Sequence, residues 1–141
     1  MTRQPTESPG LLLWRATLRW QRLVGAALKP LGLTHVQFVL LASAWWLTHE
    51  AGETPSQRRV AEFASTDLMM TSQVLRALEA KGLVVRGAHP SDSRARCIGV
   101  TRRGAALAKR AVSVVEATDA DFFRTAGDEQ ALLHALRGLS G

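Results

Sequence analysis

Apolar residues return at helical spacing along most of this chain. Between Leu11 and Lys29, Leu13, Trp20, Val24 and Leu28 fall near one face, and Leu11, Trp14, Leu18 and Leu23 widen it. Arg15, Arg19 and Arg22 form a basic stripe beside them, and Pro30 and Gly32 end the helix. The apolar surface is wider than one small core demands, and a partner subunit would explain it. Residues 1–9 hold two prolines and little that could be buried, so a flexible tail is expected there. The next helix starts at a capping box, Thr34 with Gln37, flanked by Leu33 and Phe38 at the staple positions. It runs to about His49 and is apolar on all sides, the pattern of a central buried helix.

After the loop 50–55, Ser56 can cap a short helix, Gln57 to Phe63, and Ser65-Thr66 makes a turn. Asp67 is a good N-cap for a helix over Leu68–Lys81, and Gly82 is a good residue just past its end. Leu83–Arg86 and Arg96–Val100 read as strands around the turn-rich stretch 87–95. Thr101 caps a long helix to about Arg124, Gly127 breaks it, and Asp128 caps a last helix through Leu139. Helix, turn, helix, strand, tip, strand is the order of a winged helix-turn-helix. The predicted fold is therefore mainly α with a small antiparallel β wing, in one domain over residues 10–141. The winged unit occupies 56–101, and helices from both chain ends, 10–51 and 102–141, form a second layer and a dimerisation surface.

Charge sharpens this picture. The chain carries 18 Lys/Arg and 12 Asp/Glu, a formal charge of +6 with a pI near 11.0. Between residues 56 and 110 there are 11 Lys/Arg and 4 Asp/Glu, a local +7, so the whole excess sits in the winged unit and the first turns of the helix that follows it. A polyanionic partner is favoured. In the helix Leu68–Lys81, Thr71, Val74, Leu75 and Leu78 point inward, leaving Met69, Ser72, Gln73 and Arg76 on the outer face. That polar face suits a major groove, where side-chain donors and acceptors read base edges. Asp92 and Arg94 lie at the wing tip, with Arg86 and Arg96 at its base. An arginine at such a tip can enter a narrow, electronegative minor groove, and Asp92 can hold its guanidinium.

At this point the chain resembles the MarR family of bacterial transcriptional regulators. The resemblance covers nearly the whole length and is sharpest over LEAKGLVVRGAHPSDSRARCIGVTRRG, Leu78 to Gly104. The matching positions are Leu78, Glu79, Gly82, Leu83, Val84, Arg86, Pro90, Asp92, Arg94, Ala95, Thr101 and Gly104. The resemblance implies a homodimer whose terminal helices form the interface. It makes Leu68–Lys81 the recognition helix, with Ser72, Gln73 and Arg76 toward the groove, Arg94 in the minor groove and Asp92 orienting it. Gln73 stands where a basic residue is frequent, and Gly87 where a second arginine often follows Arg86. The resemblance also implies release of DNA by a small aromatic or lipophilic effector in many members. Others sense oxidants through a cysteine near the first helix, which this chain lacks; its one cysteine, Cys97, reads as a small strand residue.

Four tryptophans and no tyrosine are unusual for this length. Core and dimer packing is the plain reading of Trp14, Trp20, Trp45 and Trp46. The sharper one is an aromatic-lined effector pocket to which His35 and His49 add polar contacts. No metal-ligand spacing joins His35, His49, His89 and His134, and no cofactor is expected. There is no Gly-rich phosphate loop, GxSxG elbow or HExxH, and no nucleophile–base pair suggests an enzyme. The opening MTRQPTESPG has no apolar core of a secretory signal, and the longest apolar run, Val36 to Leu47, is short for a bilayer, so a cytoplasmic protein is expected. The resulting expectation is a sequence-specific, homodimeric repressor on a palindromic operator in double-stranded DNA. The competing reading is a winged-helix module that binds proteins and has lost DNA specificity.

Overall fold

The structure, a computed structural model, describes residues 2, 4–88 and 96–141. Eight main elements follow in order: α1 (Pro9–Leu28), α2 (His35–His49), α3 (Gln57–Ala64), α4 (Leu68–Ala80), β1 (Val84–Ala88), β2 (Arg96–Val100), α5 (Arg102–Phe123) and α6 (Glu129–Ser140). The capping signals place most starts. Thr34 accepts from the Gln37 backbone N–H while the Gln37 side chain accepts from the Thr34 N–H, closing the capping box. Ser56, Asp67, Thr101 and Asp128 cap α3, α4, α5 and α6 through their side-chain oxygens. The N-terminal stretch departs from the expected tail. Pro5–Glu7 forms a short 3-10 turn, Ser8 caps α1, and Pro9 occupies its first turn, where a missing N–H costs nothing.

α2 is the central helix. Leu40, Leu41, Ala44 and Leu47 are fully buried, and around them pack Val24 and Leu28 of α1, Val60 of α3, Leu75 and Leu78 of α4, Ile98 of β2, and Ala108 and Ala111 of α5. One core therefore serves both the terminal helices and the winged unit, and a shift of α2 is felt by both. The two-stranded wing pairs antiparallel, with Val84 opposite Val100 and Ala88 opposite Arg96. A further pairing is absent from the sequence reading: Ser56 bridges Cys97, and the Ile98 N–H donates to the Pro55 carbonyl at 2.9 Å. The wing is thus stitched to the start of α3.

The terminal helices are only half satisfied. Trp14 is 63% exposed, and Leu12, Leu13 and Leu18 of α1 are exposed with it. No residue of α6 is buried, and Leu139 is 76% exposed. Between α1, α5 and α6 lies a cleft of about 840 Å³, whose walls include Leu13, Trp20, Phe122, Leu132, Leu133 and Leu136. Among the described residues no single helix is long and apolar enough to cross a membrane.

Candidate nucleic-acid interface

The turn between α3 and α4 is held by hydroxyl chemistry. Ser65 adopts a left-handed conformation, φ 57°, at the end of α3. The Thr71 hydroxyl donates to the Asp67 carbonyl at 2.7 Å, so its contact with the Thr66 hydroxyl, also 2.7 Å, is one in which Thr66 donates. Thr71 is fully buried, and these bonds supply the partners that a buried hydroxyl requires. The turn and the first turn of α4 therefore move together. Asp67 accepts from the Met70 N–H at 2.7 Å, which fixes where α4 begins and so the phase of its outer face.

That face appears where the spacing placed it. Thr71, Leu75 and Leu78 are buried and Val74 is packed on the core, while Met69, Gln73 and Arg76 are exposed and Ser72 is half-buried. Met69 is 74% exposed. The far end of α4 is anchored twice. The Lys81 ammonium donates to the Gly32 carbonyl and to Gln37 Oε1, tying α4 to the start of α2. The Thr101 hydroxyl sits between the Gly82 carbonyl at 2.7 Å and the Gly104 N–H at 3.0 Å, linking the end of α4 to the start of α5. The Thr-x-x-Gly signature is thus a joint.

On the wing, Arg96 is exposed and Arg86 is not free: its side chain, 17% exposed, lies between Glu79 and Gln57. Asp92 and Arg94, the tip residues of the sequence reading, lie outside the described residues. The Cys97 thiol donates to the Ala88 carbonyl at 3.3 Å and is partly exposed.

The six candidate effector residues do not form one group. Trp20 donates through Nε1 to Asp119 at 2.8 Å and meets the His35 ring edge-on at 4.9 Å. Burial holds the His35 pKa below its ordinary value, against the opposing pull of the Asp119 carboxylate. Trp45 stacks on His49 at 5.8 Å, and His49 Nδ1 lies 3.2 Å from the Trp45 carbonyl. Trp46 turns the other way and stacks on Phe63 of α3 at 5.3 Å. There Arg59 lies over Phe63 and is gripped by Glu53, whose carboxyl is held below its ordinary pKa by that hydrogen bond and charge. Trp14 faces outward on α1. Of the six, only Trp20 lines the cleft between α1, α5 and α6. Asp119, the acceptor of Trp20, is the site residue that sequence reasoning missed; it lies 99 positions away and no local pattern signals the pairing.

A turn held by hydroxyl groups, a polar exposed second helix, a basic wing and a charge of +7 over residues 56–110 define a winged helix-turn-helix DNA-binding protein. The MarR family model matches residues 33–95, a span that includes α2, α3, α4 and β1. The HTH-type transcriptional regulator YdcH of Bacillus subtilis (strain 168) is 43% identical over 135 residues, 96% of this chain and 91% of that protein. The HTH-type transcriptional repressor Rv2887 of Mycobacterium tuberculosis is 41% identical over 111 residues, 79% of this chain and 76% of its own length. Among solved structures, CouR from Rhodococcus jostii RHA1, bound to p-coumaroyl-CoA, superposes with a TM-score of 0.79 at 29% identity, covering 98% of this chain and 92% of CouR. This chain belongs to the MarR family and is a DNA-binding transcriptional regulator, not an enzyme.

Proposed function

We propose that the protein is a homodimeric repressor that reads a palindromic operator and releases it when a small aromatic or lipophilic effector binds. The observation that carries this reading is the pairing of two unsatisfied surfaces: a polar, exposed face on α4, and apolar faces on α1 and α6 at the opposite ends of the chain. A second copy covers the latter. Leu132, Leu133 and Leu136 line a cleft shared with α1 and α5, no residue of α6 is buried, and a two-fold arrangement lets each α6 close against the partner. Two α4 helices then enter successive major grooves, with Gln73 and Arg76 at base edges and Met69, Ser72 and Arg96 beside them. Arg94, steadied by Asp92, takes the minor groove.

The effector reading rests on the junction of α1, α2 and α5. There the Trp20–Asp119 bond and the edge-on His35 form an aromatic, polar-tipped wall that belongs to the same core as α4. A ligand wedged at that wall displaces α2, and α2 carries α4 through Gln37 and Lys81. CouR was crystallised with p-coumaroyl-CoA, which makes aromatic acids and their thioesters the first class to try. The test is fluorescence anisotropy of an operator duplex during titration with hydroxycinnamates, their CoA thioesters and uncharged aromatics, with tryptophan emission followed in parallel. Quenching accompanied by loss of the duplex supports the reading. Duplex binding indifferent to the whole panel contradicts the effector part and leaves the regulator intact.

A further inference from the structure

Arg86 stands where the three DNA-facing elements meet, and its surroundings differ from those of a phosphate contact. It projects from β1 on the same side as buried Val84, two residues earlier, since strand side chains alternate faces. Its Nε lies 3.5 Å from Glu79 Oε1 in the last turn of α4, and its Nη1 donates to Gln57 Oε1 at 3.4 Å in the first turn of α3. The Nε–Glu79 contact is an ion pair without hydrogen-bond alignment, and that N–H has no other acceptor among the described residues. A guanidinium withdrawn this far from water needs a counter-charge, and among the described residues Glu79 is the carboxylate within ion-pair reach.

Glu79 is itself out of place by electrostatics alone. It stands three residues beyond Arg76, continuing the outer row of α4, and its side chain is 42% exposed. An anion on the face that approaches DNA repels phosphate. Its presence makes sense if it serves Arg86.

We propose that Arg86 is a positioning residue rather than a DNA contact: held between Glu79 and Gln57, it sets the angle of the wing to the recognition helix. Three elements then share one charged pin. The backbone pairing of residues 55 and 56 to β2 fixes the wing root in position, and Arg86 fixes its tilt against α4. The inference rests on the DNA-binding function of the chain and not on the dimer or the effector.

Glu79→Gln gives the test, because the two accounts predict opposite signs. Removing an anion beside DNA tightens binding if Arg86 contacts phosphate, since the freed guanidinium gains reach. If Arg86 is a pin, Glu79→Gln weakens operator binding by about tenfold, the scale of coupling between contacting side chains. Random-duplex binding, which depends on charge more than on geometry, then holds or rises, so the ratio of operator to random-duplex affinity falls. A merely destabilised protein, compared at equal folded fraction, leaves that ratio unchanged. The salt response adds a second sign. Arg86→Ala should lower operator affinity with an unchanged slope of log affinity against log salt, whereas a lost phosphate contact makes the slope shallower by about 0.9. Operator affinity for Glu79→Gln equal to or above the unaltered protein's, an unchanged operator-to-random ratio, or a shallower slope for Arg86→Ala overturns the proposal. Should Arg86→Ala fail to fold, the Glu79→Gln ratio decides alone, since that side chain is exposed. Failure of the unaltered protein to prefer any duplex is a separate result, against the DNA-binding reading itself.

Discussion

Gln73 is exposed on a helix whose phase is fixed by the Asp67 cap and the buried Thr71 hydroxyl, so its amide stands at a defined position on the outer face of α4. Gln73→Ala should change base preference at one position of each half-site by roughly 1–3 kcal/mol while leaving the others intact, as measured by anisotropy against a set of single-substituted operators. An unchanged profile removes Gln73 from the base-reading set. His35 gives a pH signature. Burial lowers its folded-state pKa below 6.5, so below that pH the unfolded chain takes up the proton first. Stability is full above pH 6.5 and declines as pH falls toward the folded-state value. His35→Gln should abolish that part of the decline in melting temperature, and a decline of the same size in the variant would assign it elsewhere. At this scale the sequence exposed what helical spacing controls. Thr71, Leu75 and Leu78 went inward and Met69, Gln73 and Arg76 outward as the 3–4 pattern implies. Partners distant along the chain were not legible: nothing near Trp20 announces Asp119, and nothing near Arg86 announces Gln57.

Elements were legible because their caps are written in side chains that act locally. Thr34 with Gln37, Ser56, Asp67, Thr101 and Asp128 each satisfy N–H groups of the helix they begin, so the residue type alone marks the boundary. α1 starts at Pro9, two residues before the Leu11 that the apolar pattern predicts, because Ser8 and Pro9 begin it within a polar stretch. The bridge from Ser56 to Cys97 is not legible in the sequence, because a single bridged residue leaves no alternating pattern. The joint between β1 and α5 yields a sharp expectation. A Cβ at Gly104 would lie 2.0 Å from the Leu83 carbonyl oxygen, a backbone atom that cannot step aside. Gly104→Ala should therefore destabilise the protein by about 1–3 kcal/mol in chemical denaturation, as overpacking does. Wild-type stability in this variant would mean that α5 tolerates a shift away from the wing.

For the whole molecule, the winged unit completes its core within one chain and the terminal helices do not. The wide apolar surface of the first helix already suggested this. The structure adds that α6 has no buried residue and that α1 leaves Leu12, Leu13 and Trp14 exposed. Leu136→Glu on the cleft wall should shift the protein from dimer to monomer in analytical ultracentrifugation. Operator affinity should fall about 100-fold or more with it, because the second half-site is no longer engaged intramolecularly. An unaltered dimer would move the interface away from α6. Where each tryptophan goes was beyond the sequence: Trp14 is exposed, Trp45 stacks on His49 and Trp46 stacks on Phe63, and composition distinguishes none of these.

The most direct measurement is selection of duplexes by the purified protein from a random pool, followed by sequencing of the retained fraction. One enriched, imperfect palindrome is expected, with half-site centres about one helical turn, roughly 10 bp, apart. Its retention should weaken steeply with salt as phosphate contacts release counterions. A pool that emerges with no enriched sequence, or with a single unpaired half-site, would contradict a two-fold reader built from α4 and the wing.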